Sequence, residues 1–400
     1  MNPYFTELGR TVLERWKKTN FSLSAFPAIA QAALEERPPA ENVDLGKLVR
    51  EFLLEDEQPF QSQSGFGQPE LVVYDDPRFY IQILFWLEGT TDIHQHKFSG
   101  AFHVLAGSSI HSSFEFQNPE AVSAHLRVGC LRVQATELLE TGSTVQIISG
   151  SSHIHSLFHL ETPSLTVVIR THTDPGTGPQ FTYLPPHLAV DPFQNDALTT
   201  RRKQLLDVLE ATDDPDYSAL VLEMLGRLDF ERGFFVLQNA MGALRGFGRW
   251  EEALDVFKAR HGRLADFVKP TLDEIVWRDR LVALRGSVAE VEHRFFLALL
   301  LNVPTRAGVF AMVARRFSEE PAEMILHWAE ELMESSEAGT WILDAEFPSA
   351  LPVDAEDRPE LFLNALRILL EGNETPGETC PHLDSLRAAF ARSSLRVLVS

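Results

Sequence analysis

The chain has 400 residues, a length that suits two or three domains, and 44% of them are hydrophobic, as in globular proteins. Its 35 Lys and Arg against 57 Asp and Glu give a formal net charge of -22. This charge argues against a general nucleic-acid binder and against a protein that binds anionic membranes, because both need a basic surface.

The two cysteines, Cys130 and Cys380, lie too far apart in sequence to form a zinc knuckle or a disulfide framework by themselves. A reducing, cytoplasmic location is therefore expected. The first 18 residues lack the apolar core of a signal peptide, and no run of 18 apolar residues predicts a membrane span. Cys130 lies in an apolar stretch and is expected to be a buried small side chain, not a nucleophile.

Residues 1–58 form a segment of helical periodicity that is predicted to pack on the domain that follows. Apolar residues between Leu8 and Trp16 recur at i, i+4, i+5 and i+8, which is one face of a helix. A second helix is predicted from Phe26 to Leu34 and a third from Val43 to Leu54. The stretch from Glu57 to Pro69 is rich in Gln, Ser and Gly and indicates a loop.

Residues 59–186 are predicted to form a β-barrel. Between residues 70 and 172, eight short apolar runs rich in β-branched and aromatic residues are separated by Gly, Asp, Pro and Ser. Many short strands at this spacing indicate a sandwich or a barrel. Five prolines between residues 173 and 197 mark a connector and a domain boundary, and residues 187–400 read as an all-helical domain. The predicted fold class is therefore α+β.

Histidine is unevenly distributed, because ten of the 14 lie between His94 and His187. His94 and His96 end a predicted strand, where side chains two residues apart point to one face. Two imidazoles placed in this way can bind one ion inside a barrel, and neutral nitrogen donors suit Fe, Zn, Cu, Ni or Mn. The pattern alone is weakly specific, since such a histidine is often a hydrogen-bonded polar group or faces solvent.

A second group of histidines follows downstream. Gly142 and Gly150 bracket a predicted strand, after which come His153, His155 and His159. His153 and His155 share strand parity, so both are expected to point inward, and either could complete a metal site with the first pair. The clustering of these histidines in one predicted barrel favours a metal site over separate polar positions.

Three segments resemble the cysteine dioxygenase-like thiol dioxygenases of the cupin superfamily. FYIQILFWLEGTTDIHQH (79–96) is similar to their strand that ends in Trp, a Gly and Ile-His-x-His. GAFHVLAGSSIHSSFEF (100–116) is similar to their next two strands, with a loop one residue shorter, and IISGSSHIHSLFH (147–159) to the strand with their third ligand. The resemblance covers about residues 70–186 and implies a cupin jelly-roll barrel.

The resemblance implies that His94, His96 and His155 are the metal ligands. His153 is the alternative third ligand or a catalytic group beside the metal, and His159 is either structural or in contact with a ligand. Many cupins add a glutamate at the position of Gly100, so the implied set here is three neutral histidines, as in the thiol dioxygenases. The implied metal is Fe(II), with Zn, Mn or Ni as alternatives. Iron would lower the pKa of a thiol substrate and hold the thiolate beside O₂.

Two departures from this family argue against free cysteine as the substrate. No Lys or Arg occurs from Glu51 to Pro77, where cysteine-specific members carry the Arg that binds the substrate carboxylate. Their His and Tyr on the strand after the third ligand correspond to Val168 and Arg170. Arg170 has the parity to face the cavity and is the predicted catalytic partner of an anionic substrate group; an exposed strand arginine is the alternative.

Four residues are candidate walls of the cavity, with ordinary core positions as the alternative: Tyr80, Gln82, Trp86 and Phe102. His103 has the opposite parity to Phe102 and is expected to point away from the cavity.

The sequence therefore predicts a non-haem iron(II)-dependent cupin oxygenase that acts on a small organic substrate and O₂, a thiol being one candidate. The first alternative is an isomerase, lyase or hydrolase that uses Zn, Mn or Ni as a Lewis acid. The second is a non-catalytic cupin that keeps a metal or ligand while its helical domain binds a protein. The helical domain is expected to cap the barrel, mediate dimerisation or bind a protein partner.

Overall fold

The computed structural model describes residues 2–62, 66–87, 89–194, 196–334, 358–371 and 383–399. Cys380 lies outside these residues, and Cys130 is partly exposed and not fully buried as predicted. Within the described residues, no helix is both long and apolar enough to cross a membrane.

The N-terminal segment forms a helical layer on one side of the molecule. Its described α-helices are α1 (Pro3–Lys18), α2 (Phe26–Glu36), α3 (Pro39–Asn42) and α4 (Leu45–Leu54). The Asn2 side chain accepts a hydrogen bond from the Tyr4 N–H and so caps α1. The Phe26 ring lies 4.3 Å from the Trp16 ring and 5.7 Å from that of Phe79, the first residue of a strand below. The aromatic contacts fix this layer on the sheet, as predicted.

Two antiparallel sheets form the barrel domain. The first has the strand order β1 (Glu70–Asp76), β2 (Phe79–Trp86), β9 (Ser164–Thr171), β4 (Gly100–Ala106) and β7 (Thr144–Ile147). The second closes in the order β10 (Thr182–Leu184), β11 (Leu188–Val190), β6 (Leu126–Leu139), β5 (Ser109–Ala121), β8 (Ile154–His159) and β3 (His94–Gln95). The predicted α+β fold class, with a closed β-barrel, N-terminal helices and a helical C-terminal region, is confirmed.

Strand β2 shows why the barrel has an enclosed interior. Phe79, Ile81 and Ile83 belong to the core shared with the N-terminal helices, whereas Leu84 and Trp86 belong to the core between the sheets. Alternate side chains of one strand thus enter two different cores, which explains why almost the whole strand is buried.

The proline-rich segment after β9 is part of the barrel and not only a connector. It supplies β10 and β11, which pair with each other across Tyr183 and Ala189, and β11 continues onto β6. The boundary predicted at residue 186 falls in the turn between these strands, and the barrel sheet extends to Val190.

The C-terminal region is helical throughout its described residues. Its α-helices are α5 (Ala197–Ala211), α6 (Tyr217–Arg227), α7 (Phe230–Gly246), α8 (Trp250–His261), α9 (Val268–Ser287), α10 (Val291–Asn302), α11 (Arg306–Arg316), α12 (Pro321–Glu334), α13 (Arg358–Glu371), α14 (Leu383–Phe390) and α15 (Arg396–Val399).

These helices cover two outer patches of the barrel. Helices α5–α8 share a core with Leu126 and Val128 of β6. The later helices share a second core with Ile110 of β5 and with Phe158 and Leu160 at the end of β8. The C-terminal helices therefore pack on the barrel through apolar side chains of its strands. Their predicted role in dimerisation or in binding a protein partner stays a prediction.

Candidate metal centre

Strand pairing brings three predicted ligands together inside the barrel. His94 on β3 lies directly opposite His155 on β8 in the antiparallel register. His96, two residues further on, lies just beyond the end of β3. All three side chains are 5% exposed or less, and their rings line one internal cavity. The fold thus brings His96 and His155 into contact although 59 positions separate them in sequence.

The side-chain nitrogens of this group converge. The Nε2 atoms of His96 and His155 are 2.8 Å apart, a contact that requires one shared proton or one shared cation between two basic nitrogens. The His94 Nδ1–H donates to the carbonyl oxygen of Asp92 at 2.7 Å, which turns its Nε2 inward, and this atom has no hydrogen-bond partner among the described residues. One nitrogen from each ring lies within 4.8 Å of the others, an arrangement that fits a metal ion.

Burial keeps these imidazoles in the neutral form that binds metals. It lowers the pKa of His94 and holds the pKa of His96 and of His155 well below the ordinary value of 6.5. The positive charge that neighbouring histidines would carry lowers the pKa of His96 and His155 further. A neutral set of nitrogen donors suits Fe, Zn, Cu, Ni or Mn.

A hydrogen-bonded chain runs outward from His155. Its Nδ1 lies 3.1 Å from Nε2 of His111 on β5, and His111 Nδ1 lies 3.0 Å from Oε1 of Glu137 on β6. With the proton of His155 on Nδ1, each ring donates to the next group and Nε2 of His155 is left to bind a metal. The hydrogen bond from His111 lowers the pKa of Glu137.

This chain was not predicted from the sequence, because no role was assigned there to His111 or to Glu137. Direct cross-strand pairing of His111 with Glu137 is its structural origin. One signal in the sequence could have pointed to His111: strand alternation places its side chain inside the barrel, on a strand that precedes the second histidine group.

His153 lies beside the three-histidine site but not in its cavity wall. With His111 and His155 it forms a second set of nitrogens within 4.8 Å of one another. Its Nε2 is buried without a hydrogen-bond partner among the described residues, and burial lowers its pKa to about 4. His153 and His111 do not line the cavity that His94 faces. The geometry favours His155 as the third ligand, and the catalytic role of His153 stays a prediction.

Gly100 explains why this barrel does not carry a glutamate among its ligands. A Cβ atom added to this residue would overlap the carbonyl oxygen of Ile169 on the paired strand β9. Any larger residue at this position would force β4 and β9 apart. The close approach of the two strands therefore excludes a glutamate at this position.

The cavity next to the histidines is small and mostly apolar. Its volume of about 30 Å³ is of the order of one water molecule. Of the four predicted wall residues, Gln82, Trp86 and Phe102 line it and Tyr80 does not. The Gln82 Oε1 atom is buried without a partner among the described residues, so it offers an acceptor to a bound molecule.

Arg170 lies behind the cavity wall. Its guanidinium carbon is 3.4 Å from the centroid of the Phe98 ring, and that ring lies 4.4 Å from the His96 ring. The Nε–H and an Nη2–H of Arg170 donate to the carbonyl oxygens of Thr171 and His172 at 3.3 Å. Phe98 thus separates the arginine from the histidines, and its predicted catalytic role stays a prediction.

Two further histidines have structural contacts. The ring of His159 stacks on Trp86 with centroids 4.7 Å apart, and its Nδ1 is 2.7 Å from the Ser164 hydroxyl. The His103 ring points away from the cavity, as its parity predicts, and its Nδ1 is 2.8 Å from the Thr144 hydroxyl.

Comparisons with known proteins find similarity only to part of this chain, and at low identity. No protein-family model matches this chain, and no curated protein matches it. Among solved structures, a cupin-2 domain protein from Shewanella frigidimarina is 13% identical, covers 31% of this chain and 92% of its own, and has a TM-score of 0.20. KdgF from Halomonas sp. is 15% identical, with 30% and 94% coverage and a TM-score of 0.21. Hydroquinone 1,2-dioxygenase from Sphingomonas sp. is 12% identical, with 30% and 81% coverage and a TM-score of 0.22.

Proposed function

We propose that this protein is a non-haem iron(II)-dependent cupin oxygenase that acts on a small organic substrate with O₂, a thiol being one candidate. The observation that carries the proposal is the convergence of His94, His96 and His155, buried and neutral, on one internal cavity. Bound iron would supply open positions for O₂ and for a substrate donor atom.

The surrounding residues would orient the ligands and exclude water. The Asp92 carbonyl oxygen holds His94, and the chain through His111 and Glu137 holds His155 with its proton on Nδ1. Trp86 and other apolar side chains keep the cavity dry, while the Gln82 Oε1 atom accepts a hydrogen bond from a substrate N–H or O–H group.

Metal analysis of protein purified without oxygen tests the site. We expect about one equivalent of iron in the parent protein and almost none in the double variant His94→Ala, His96→Ala, since each lost imidazole removes a ligand. His327→Ala is the matched control, because this histidine is exposed on α12. Equal metal content in the double variant and the parent would refute the site.

Oxygen consumption with Fe(II) then tests the reaction. Uptake that depends on added thiols, and that the double variant lacks, supports the oxygenase. The same neutral donors also suit zinc, so a Lewis-acid isomerase, lyase or hydrolase is the second candidate. Stoichiometric zinc or manganese without oxygen uptake would favour that candidate, and retained metal without any turnover would favour a binding protein.

A further inference from the structure

The cavity next to the histidines opens toward a second, larger one between the barrel and helix α9. This second cavity, called the vestibule here, has a volume of about 740 Å³. Phe66, Trp86 and Thr91 line both cavities. The Phe66 ring lies 5.8 Å from the His94 ring, so it stands between the vestibule and the histidines. A molecule that reaches the histidines from this side passes through the vestibule.

The C-terminal helices supply two arginines to the vestibule wall: Arg285 of α9 and Arg294 of α10. The Nε–H of Arg285 donates to the His159 carbonyl oxygen at 2.9 Å. Nη1 of Arg294 donates to the Leu160 carbonyl oxygen and the Thr162 hydroxyl, both at 3.0 Å. These contacts hold both guanidinium groups at the barrel rim.

Arg285 is a buried cation without an acidic partner among the described residues. It is 5% exposed, and the guanidinium group lies where a side chain at Gly89 would be. Burial and the like charge of Arg294 lower its pKa to about 10. Arg278 on the same helix is also buried, but the negative charge of Glu274 acts on it. Among the described residues, only neutral acceptors and a like charge contact Arg285, and a buried charge in such surroundings is stabilised when an anion binds.

The remaining charges around the vestibule leave room for such an anion. Asp92 is the one acidic residue among its described lining residues, and its side chain is exposed. The charge of Asp92 acts on Arg278 and Asp279 of α9. Glu161 acts on Arg294 but does not line the vestibule.

We infer that Arg285 and Arg294 form a subsite for the carboxylate of a small organic molecule, whose other end reaches the histidines past Phe66. The two arginines come from the C-terminal helices, so these helices contribute to substrate selection. This inference rests on the proposed function for what the histidines bind, but anion binding at the two arginines does not need the metal.

The test compares acids with their neutral isosteres. The probes are benzoate with benzamide and hexanoate with hexanamide, titrated calorimetrically into the protein. The protein is loaded with zinc, because zinc has no redox chemistry. We expect each acid to bind about tenfold more tightly than its amide, because a charge-assisted hydrogen bond to a desolvated guanidinium exceeds a neutral one.

Variants assign the preference to the arginines. Arg294→Gln should weaken acid binding about tenfold and leave amide binding unchanged, and Arg294→Lys should restore part of it. Arg263→Gln, which removes an exposed arginine paired with Glu120, is the matched control. Thermal melts show whether each variant folds. At the buried position we use Arg285→Lys, which keeps the charge, instead of a neutral substitution.

The double variant His94→Ala, His96→Ala separates this inference from the metal site. Acid preference that persists there and falls with Arg294→Gln supports the subsite even if the protein binds no iron. Equal binding of acid and amide, or acid binding that needs zinc and ignores Arg294→Gln, would overturn the inference, since the acid would then bind the metal alone.

Discussion

Replacing His111 by Phe tests the hydrogen-bonded chain behind the metal site. A metal on Nε2 of His155 requires its proton on Nδ1, where Nε2 of His111 accepts it at 3.1 Å. Both side chains are buried, so His111→Phe leaves this N–H without an acceptor in the metal-bound form. The metal-free form avoids the penalty by placing the proton of His155 on Nε2, toward His96. The variant therefore weakens metal binding more than it weakens the fold.

The expected magnitude follows from the burial of each partner. An unsatisfied buried donor costs about 1–3 kcal/mol, which corresponds to roughly a 5- to 150-fold loss of metal affinity. Glu137→Gln should cost only about 1 kcal/mol or less, because the Glu137 side chain is 55% exposed and an amide oxygen still accepts the hydrogen bond.

Zinc affinity, measured by competition with a chromophoric chelator, checks both values. His103→Phe is the matched control: it also replaces a buried, hydrogen-bonded barrel histidine, but one that points away from the cavity. Thermal melts of the metal-free proteins report any general loss of stability. If His111→Phe bound zinc as tightly as the parent, the assignment of His155 and its supporting chain would be wrong.

Three further perturbations have defined outcomes. Gly100→Ala places a Cβ against the Ile169 carbonyl oxygen, so we expect a loss of about 1–3 kcal/mol in the free energy of unfolding, measured by urea titration; an unchanged midpoint would contradict the close strand approach. Burial lowers the pKa of His103 to about 4 and of His159 to about 3, so their contribution to stability is full above pH 6.5 and is lost as the pH falls toward those values. Urea midpoints of metal-free protein should fall between pH 7 and pH 5, and His159→Gln should show a smaller fall; an equal fall would exclude His159 as a source. Phe66→Ala should speed removal of zinc by a chelator severalfold, in stopped-flow measurements, because Phe66 packs on the His94 ring; an unchanged rate would mean that metal leaves by another path.

The convergence of His94, His96 and His155 could be predicted because the pattern is mostly local. Alternation along a strand places His94 and His96 on one face, and the motif around His155 indicates a second such strand. Three of the four predicted wall residues, Gln82, Trp86 and Phe102, also line the cavity.

Residues joined by strand register or by distant helices could not be found in this way. Pairing of His111 with Glu137 depends on the β5–β6 register, which shifts at two irregularities, after Ser113 and after Gln117, and no sequence pattern fixes those shifts. Arg285 reaches the His159 carbonyl oxygen across 126 residues. For Arg170, parity gave the face of the strand but not the intervening ring of Phe98, since packing decides which side chain reaches the cavity.

The barrel and the C-terminal helices share two apolar cores, so we expect each to depend on the other for its stability. Leu126 and Val128 on one side, and Ile110, Phe158 and Leu160 on the other, are fully buried only while the C-terminal helices cover them. A barrel released by proteolysis near Val190 would expose these patches and tend to aggregate. The barrel and the C-terminal helices should therefore unfold in a single cooperative transition, and a truncation of the helices would disturb the histidine cluster from a distance.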